Sequence, residues 1–155
     1  MINLHHHNNE TKRMAQQAMI NILLVEDDEV DVMNVKRAFQ KNNISNPLFV
    51  AGNGIEALAL LRGEGPEIIE PLPKIILLDI NMPKMNGIEF LKEIRQDEQL
   101  KSLTVFVMTT SNDDNDKIDA YNLNIAGYIV KPLSFEKFVE AVATLKAFWQ
   151  LTELP

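Results

Sequence analysis

The sequence predicts an α/β protein: a parallel sheet of five strands with helices on both faces. Two observations carry this. Short runs rich in Ile, Leu and Val alternate five times with longer segments whose apolar residues recur at helical spacing. The runs are also apolar at consecutive positions, as "IILL" in residues 75–78 is, and parallel strands read this way because both faces are buried. Right-handed crossovers then leave only a few topologies.

The elements follow in order. "INILLV" from Ile20 is the first strand, and "DEVDVMNVKRAFQKNN" is a helix with Val32, Val35 and Phe39 on one face. "PLFVA" is the second strand. "NGIEALALLR" is a helix with Ile55, Leu58 and Leu61 inward. "GEGPEIIEPLP" carries two Gly and three Pro and is a loop. "KIILLD" is the third strand. "NGIEFLKEIRQD" is a helix with Ile88, Leu91 and Ile94 inward and a capping box at Asn86 and Glu89. "LTVFVMT" is the fourth strand, "NDDNDKIDAYNLN" a weaker helix, and "GYIVK" the fifth strand. "SFEKFVEAVATLKAFW" is the last helix, capped by Ser134, with Phe138, Val142 and Leu145 inward.

Length and composition set the limits. The 155 residues suit one domain, expected over residues 19–150, after a disordered leader at 1–18 and before a tail at 151–155. His5, His6 and His7 in the leader read as plain tail rather than a metal site. With 46% apolar and 24% charged residues the chain falls among soluble globular proteins. No apolar run approaches the roughly 20 residues that span a bilayer. There is no cysteine, hence no disulfide or thiolate site. The N-terminus lacks the apolar stretch of a secretory signal, so the cytoplasm is expected. A net charge of −7 argues against a nucleic-acid footprint.

The functional signal lies at the strand ends. In a parallel sheet the C-terminal ends of the strands share one edge, where ligands bind. The first strand runs into Glu26, Asp27 and Asp28, the third into Asp79, the fourth into Thr109 and the fifth into Lys131. Each has a bland reading alone: acids favour a helix start, and lysines and threonines are common at surfaces. Their joint arrival at one edge favours chemistry. Asp27 and Asp79 are hard oxygen ligands of the kind Mg²⁺ takes, together with waters and phosphate oxygens. A carboxylate can also be a nucleophile and form an aspartyl phosphate. Phosphoryl transfer needs mainly positioning and charge neutralisation, which a cation, Lys131 and Thr109 would supply. On this reading Mg²⁺ and Lys131 also balance the charge of Asp79.

From Ile20 to Trp149 the chain resembles the receiver domain of two-component response regulators. The matching pieces are "ILLVEDDE", "LLDINMPKMNG", "VMTTS" and "GYIVKP". Asp79 lies 52 residues after Asp27, Thr109 30 after Asp79, and Lys131 22 after Thr109, which also matches. The resemblance implies a flavodoxin-like sheet of order 2-1-3-4-5 and a phosphoryl group accepted on Asp79 from a histidine kinase. It implies Mg²⁺ held by the Asp27 and Asp79 side chains and the Asn81 main-chain carbonyl, with Glu26 acting through water. Lys131 would contact the phosphoryl group, the Lys131–Pro132 bond would be cis, and Thr109 and Tyr128 would form the switch pair. Asp28 matches no family site and reads as a helix-start acid. Thr110 is bulkier than the Ala or Gly often found there and would crowd the acceptor.

The end of the chain is similar to single-domain receivers paired with bacterial phytochromes. About six residues follow the last helix, so output is expected through binding. Phe135, Phe148, Trp149, Leu151 and Leu154 exceed what one helix face needs, which suggests either that they fold back on their own domain or that they form a two-fold homodimer through the last helix and tail, the latter being expected. A Mg²⁺-dependent aspartyl-phosphate phosphatase would need a second acid two residues after the nucleophile. Asn81 stands there, so a signalling module rather than an enzyme is expected. A binding module that is never phosphorylated is the other alternative, against which the intact acids, Thr109 and Lys131 speak.

Overall fold

The computed structural model describes residues 19–131 and 134–155. The expected leader, its three histidines and the expected cis bond at Lys131–Pro132 lie outside the described residues. The elements alternate as β1 (Ile22–Val25), α1 (Glu29–Lys41), β2 (Leu48–Ala51), α2 (Gly54–Arg62), β3 (Ile75–Leu78), α3 (Gly87–Gln96), β4 (Thr104–Thr109), α4 (Asp114–Asn122), β5 (Gly127–Val130) and α5 (Phe135–Leu151). All strand pairs are parallel, in the order β2-β1-β3-β4-β5.

Side chains alternate along each strand, so the consecutive apolar residues serve two cores. Ile22, Leu24, Ile75, Leu77, Phe106 and Met108 point to one face, against Val35, Ala38 and Phe39 of α1 and Phe138, Val142 and Leu145 of α5. Leu23, Val25, Ile76, Leu78, Val105 and Val107 point to the other, against α2, α3 and α4. All four residues of β3 are fully buried. At roughly 1.5–3 kcal/mol for each buried Ile or Leu, β3 alone gives the sheet centre a strong hydrophobic anchor.

The helix ends are where side-chain chemistry places them. Asp28 caps α1, Asn86 and Glu89 form the expected capping box on α3, and Ser134 caps α5 by accepting from the Lys137 N–H. Among the described residues no helix is long and apolar enough to cross a membrane.

Two packing expectations are corrected. The inward stripe of α2 is Gly54, Ala57, Leu58 and Leu61, while Ile55 is 51% exposed. Positions 54, 57, 58 and 61 share one helical face, and Ile55 lies one residue off it. The surplus of apolar residues at the end of α5 is also mostly absent. Trp149 is only 2% exposed, because it continues the stripe of Phe138, Val142 and Leu145 by one more turn and leans on Phe39 at 6.4 Å between ring centroids. Phe148 stands edge-on to Phe106 at 5.2 Å, Arg37 covers the Phe135 ring at 4.4 Å, and Leu154 packs on the same cluster. Leu151 alone of the group projects into solvent, at 86% exposure.

Candidate functional site

Each strand-end residue is aimed by the element before it. Glu26 follows β1 and its N–H still donates to Ala51 of β2, at 2.9 Å, so its side chain turns in over the sheet edge. Asp79 follows β3 in the same way, its N–H donating to the Val25 carbonyl at 3.0 Å. Lys131 follows β5 and donates its N–H to the Thr109 carbonyl at 2.7 Å. The chain after Asp79 then turns back tightly, with Gly87 N–H donating to the Ile80 carbonyl at 2.9 Å. A Cβ at Gly87 would collide with the Asp79 carbonyl oxygen and the Ile80 Cα. Only glycine lets the start of α3 come this close to the acid-bearing strand end.

The three acids do different work. Asp28 accepts from the N–H groups of Val30 at 2.8 Å and Asp31 at 3.1 Å, so its oxygens serve the helix, as the sequence suggested. Asp27 is exposed. Glu26 is buried; its Oε1 accepts from the Asp28 N–H at 3.1 Å and its Oε2 from Lys131 Nζ at 3.1 Å. Ligand oxygens of Glu26, Asp27 and Asp79 lie within 4.8 Å of one another. Asp79 is 7% exposed, and its Oδ1 has no hydrogen-bond partner among the described residues. A buried carboxylate oxygen left unpaired is costly unless a group absent from the chain completes it. Three carboxylates so close together, Asp79 among them, fit a divalent cation. Asn81 and Thr110 line the same open cleft of about 550 Å³ as Asp79. A smaller pocket of about 230 Å³ opens beneath, walled by Leu24, Val35, Met108, Phe135 and Phe138.

Lys131 departs from the sequence expectation. Its ammonium donates to Glu26 Oε2 and, at 2.9 Å, to Asp31 Oδ2, and no direct bond to Asp79 is found among the described residues. Sequence reading missed Asp31. The signal that could have found it is its place three residues after the Asp28 cap, where an acid in the first turn faces the strand ends.

Thr109 is fully buried, and its Oγ1 accepts from the Ser111 N–H at 3.2 Å. Tyr128 OH donates to the Ser111 carbonyl at 2.9 Å. The two residues expected to form a pair thus meet through one intervening residue, which also donates its own hydroxyl to Asp116 of α4 at 2.7 Å.

Burial and charge set the protonation of the site. Burial raises the Glu26 carboxyl to about 7; Lys131 and the Asp28 N–H oppose this, and the nearby Asp79 charge adds to it. Burial disfavours the Lys131 ammonium, but its bonds to Asp31 and Glu26 prevail and raise it above the ordinary lysine value. Tyr128 is raised, first by burial; its bond to Ser111 opposes this, and the charges of Asp116, Asp113 and Asp79 reinforce it.

With this geometry in view, the model of the response regulator receiver domain matches residues 22–143. The chain belongs to the response regulator receiver family. Rcp1, a response regulator of Synechocystis sp., is 36% identical over 128 residues, covering 83% of this chain and 87% of its own. A crystal structure of the phosphorylated cyanobacterial phytochrome response regulator RcpA superposes with a TM-score of 0.80 at 34% identity, over 88% of this chain and 98% of that one. The Mn²⁺-bound form of Rcp1 superposes with a TM-score of 0.79 at 35% identity, over 88% and 99%. The flavodoxin-like receiver fold, and the resemblance to phytochrome response regulators drawn from the sequence, both stand on these matches.

Proposed function

We propose that this receiver accepts a phosphoryl group on Asp79 from the phosphohistidine of a histidine kinase and signals through changed protein–protein binding. One observation carries the assignment of the acceptor: Asp79 is buried in the site, yet one of its oxygens has no partner among the described residues. In the step, an Asp79 oxygen attacks phosphorus, the phosphorus–nitrogen bond of the donor breaks, and the imidazole leaves with the electron pair. Asp27 and Asp79 would hold Mg²⁺, with the Asn81 main-chain carbonyl as a further ligand and Glu26 acting through water. Bound Mg²⁺ would supply charge neutralisation for the phosphoryl oxygens. Lys131 would leave a carboxylate partner to meet the phosphoryl group. Thr109 would release the Ser111 N–H to donate its hydroxyl there, and Tyr128 would follow through Ser111.

The module reads as a signalling protein rather than an enzyme, because Asn81, an amide, occupies the place of a phosphatase's second acid. The likeness to RcpA, a phytochrome response regulator, supports a phytochrome-type kinase as partner. A homodimer through α4, β5, α5 and the tail remains part of the proposal. It now rests on Ile118 and Tyr121, neighbours on α4 at 57% and 53% exposure, and on Leu151.

Incubation with acetyl phosphate, with and without Mg²⁺, followed by intact-mass measurement tests the central step. The expected result is one added phosphoryl group that requires Mg²⁺ and is absent from Asp79→Asn. Equal labelling of that variant would remove Asp79 as the acceptor.

A further inference from the structure

Lys131 has two partners, and they pull in different directions. Glu26 belongs to the carboxylate group that includes Asp79, with ligand oxygens within 4.8 Å. Asp31 does not belong to that group; it sits in the first turn of α1, its backbone N–H tied to the Asp28 cap. The bond to Asp31 is the shorter of the two, 2.9 Å against 3.1 Å. Asp79 meanwhile has an oxygen in the same cleft with no partner among the described residues, and Lys131 also lines that cleft. The ammonium is therefore held by a residue outside the carboxylate centre while a buried carboxylate oxygen lining the same cleft has no donor among the described residues. Asp31 is itself well placed to hold it, because a capped first turn fixes its backbone and its side chain is one-third exposed.

We propose that Asp31 is a positioning residue that parks Lys131 away from Asp79 in the unphosphorylated protein and so opposes phosphorylation. The proposal rests on Asp79 as acceptor and Lys131 as the cation that meets the phosphoryl group. When Asp79 gains the phosphoryl group, Lys131 must exchange the Asp31 carboxylate for a phosphoryl oxygen, and the cost of that exchange slows the reaction. Removing the Asp31 charge leaves the ammonium with Glu26 alone, beside Asp79, and lowers that cost. Asp31 is thus a brake built into the first turn of α1, and its strength belongs to the pair rather than to the net charge of the cleft.

The test uses the full chain with Mg²⁺ and acetyl phosphate, with the labelling rate read by intact mass. In this reaction the Asp79 carboxylate displaces acetate, the carbonyl-side P–O bond breaking as the new P–O bond forms. Asp31→Asn should label faster than wild type, by roughly threefold or more, the scale of a part-exposed ion pair. Glu29→Gln, which removes one charge from the same helix turn, measures the effect of a less acidic cleft on an anionic donor and should change the rate by much less. Asp31→Glu should restore the wild-type rate. In a Lys131→Met background, Asp31→Asn should gain no more than Glu29→Gln does. An Asp31→Asn rate equal to that of Glu29→Gln, a slower rate, or a gain that persists without Lys131 would each overturn the proposal. Failure of wild type to label at all would instead strike the reading of Asp79.

Discussion

At the scale of single residues, adjacent acids in "EDD" meet different fates because each points to a different consumer. Asp28 is spent on the N–H groups of α1, whereas Asp27 faces the cleft with its oxygens near Asp79. Asp27→Asn should therefore weaken Mg²⁺ binding by a large factor in a titration, since Mg²⁺ prefers anionic oxygens. Asp28→Asn should leave Mg²⁺ affinity nearly unchanged, and Asp28→Ala should cost about 1 kcal/mol of stability in a denaturant melt through loss of the cap. Glu26 adds a pH dependence. Its folded value, about 7, exceeds the ordinary 4.5, so the folded state binds the proton more tightly than the unfolded chain. That contribution to stability is complete below pH 4.5 and disappears as pH rises through 7. The metal-free protein should thus lose stability across this window, and Glu26→Gln should flatten the slope, as read by thermal melts at fixed ionic strength. Mg²⁺ affinity should move oppositely and rise with pH, because the cation favours the ionised site.

At the scale of elements, one side chain ties three segments behind the site. Arg95, on α3, donates to the carbonyls of Lys101 and Leu103 before β4 and of Leu123 and Asn124 at the end of α4, at 2.7–3.2 Å. The C-terminal end of α4 is thereby anchored, while its N-terminal end is joined to the Thr109–Ser111–Tyr128 connection through Asp116. Arg95→Ala leaves two part-buried carbonyls, those of Leu103 and Leu123, without this donor and should cost about 3 kcal/mol in denaturant unfolding. Phosphoryl uptake at Asp79, on the far side of the sheet edge, should survive at temperatures where the variant stays folded. Thr109 needs a related correction: it is not merely a strand-end hydroxyl but fully buried. Thr109→Ala should still fold and bind Mg²⁺, yet leave the Ser111 N–H without its acceptor and uncouple uptake from partner binding, measured as equal partner affinity before and after labelling.

At the scale of the molecule, the end of α5 separates stability from assembly. Trp149 is buried against Phe39, so Trp149→Ala should cost about 3–5 kcal/mol in unfolding, whatever the oligomeric state. The proposed dimer should respond instead to Ile118→Ser with Tyr121→Ser, both of which are more than half exposed. Light scattering should show the dimer in wild type and its loss in that double variant with an unchanged melting temperature. A monomer at high concentration, in both free and phosphorylated forms, would remove the dimer from the proposal.

The alternation of strands and helices, the two-faced burial of β3, the caps at Asp28, Asn86 and Ser134, and the arrival of Glu26, Asp27, Asp79, Thr109 and Lys131 at one edge were all determined by the sequence alone. These are local matters: side-chain period, hydrogen bonding within a turn, and the polarity of a parallel sheet. Only the tertiary structure decided that Lys131 bonds to Asp31, that Trp149 belongs to the core, that Ile55 does not, and that Arg95 gathers four carbonyls. Each depends on how far an element reaches and on its rotation about its own axis. The partners are as much as 110 residues apart in the chain, as Phe39 and Trp149 are, and a one-dimensional pattern carries no distance between them.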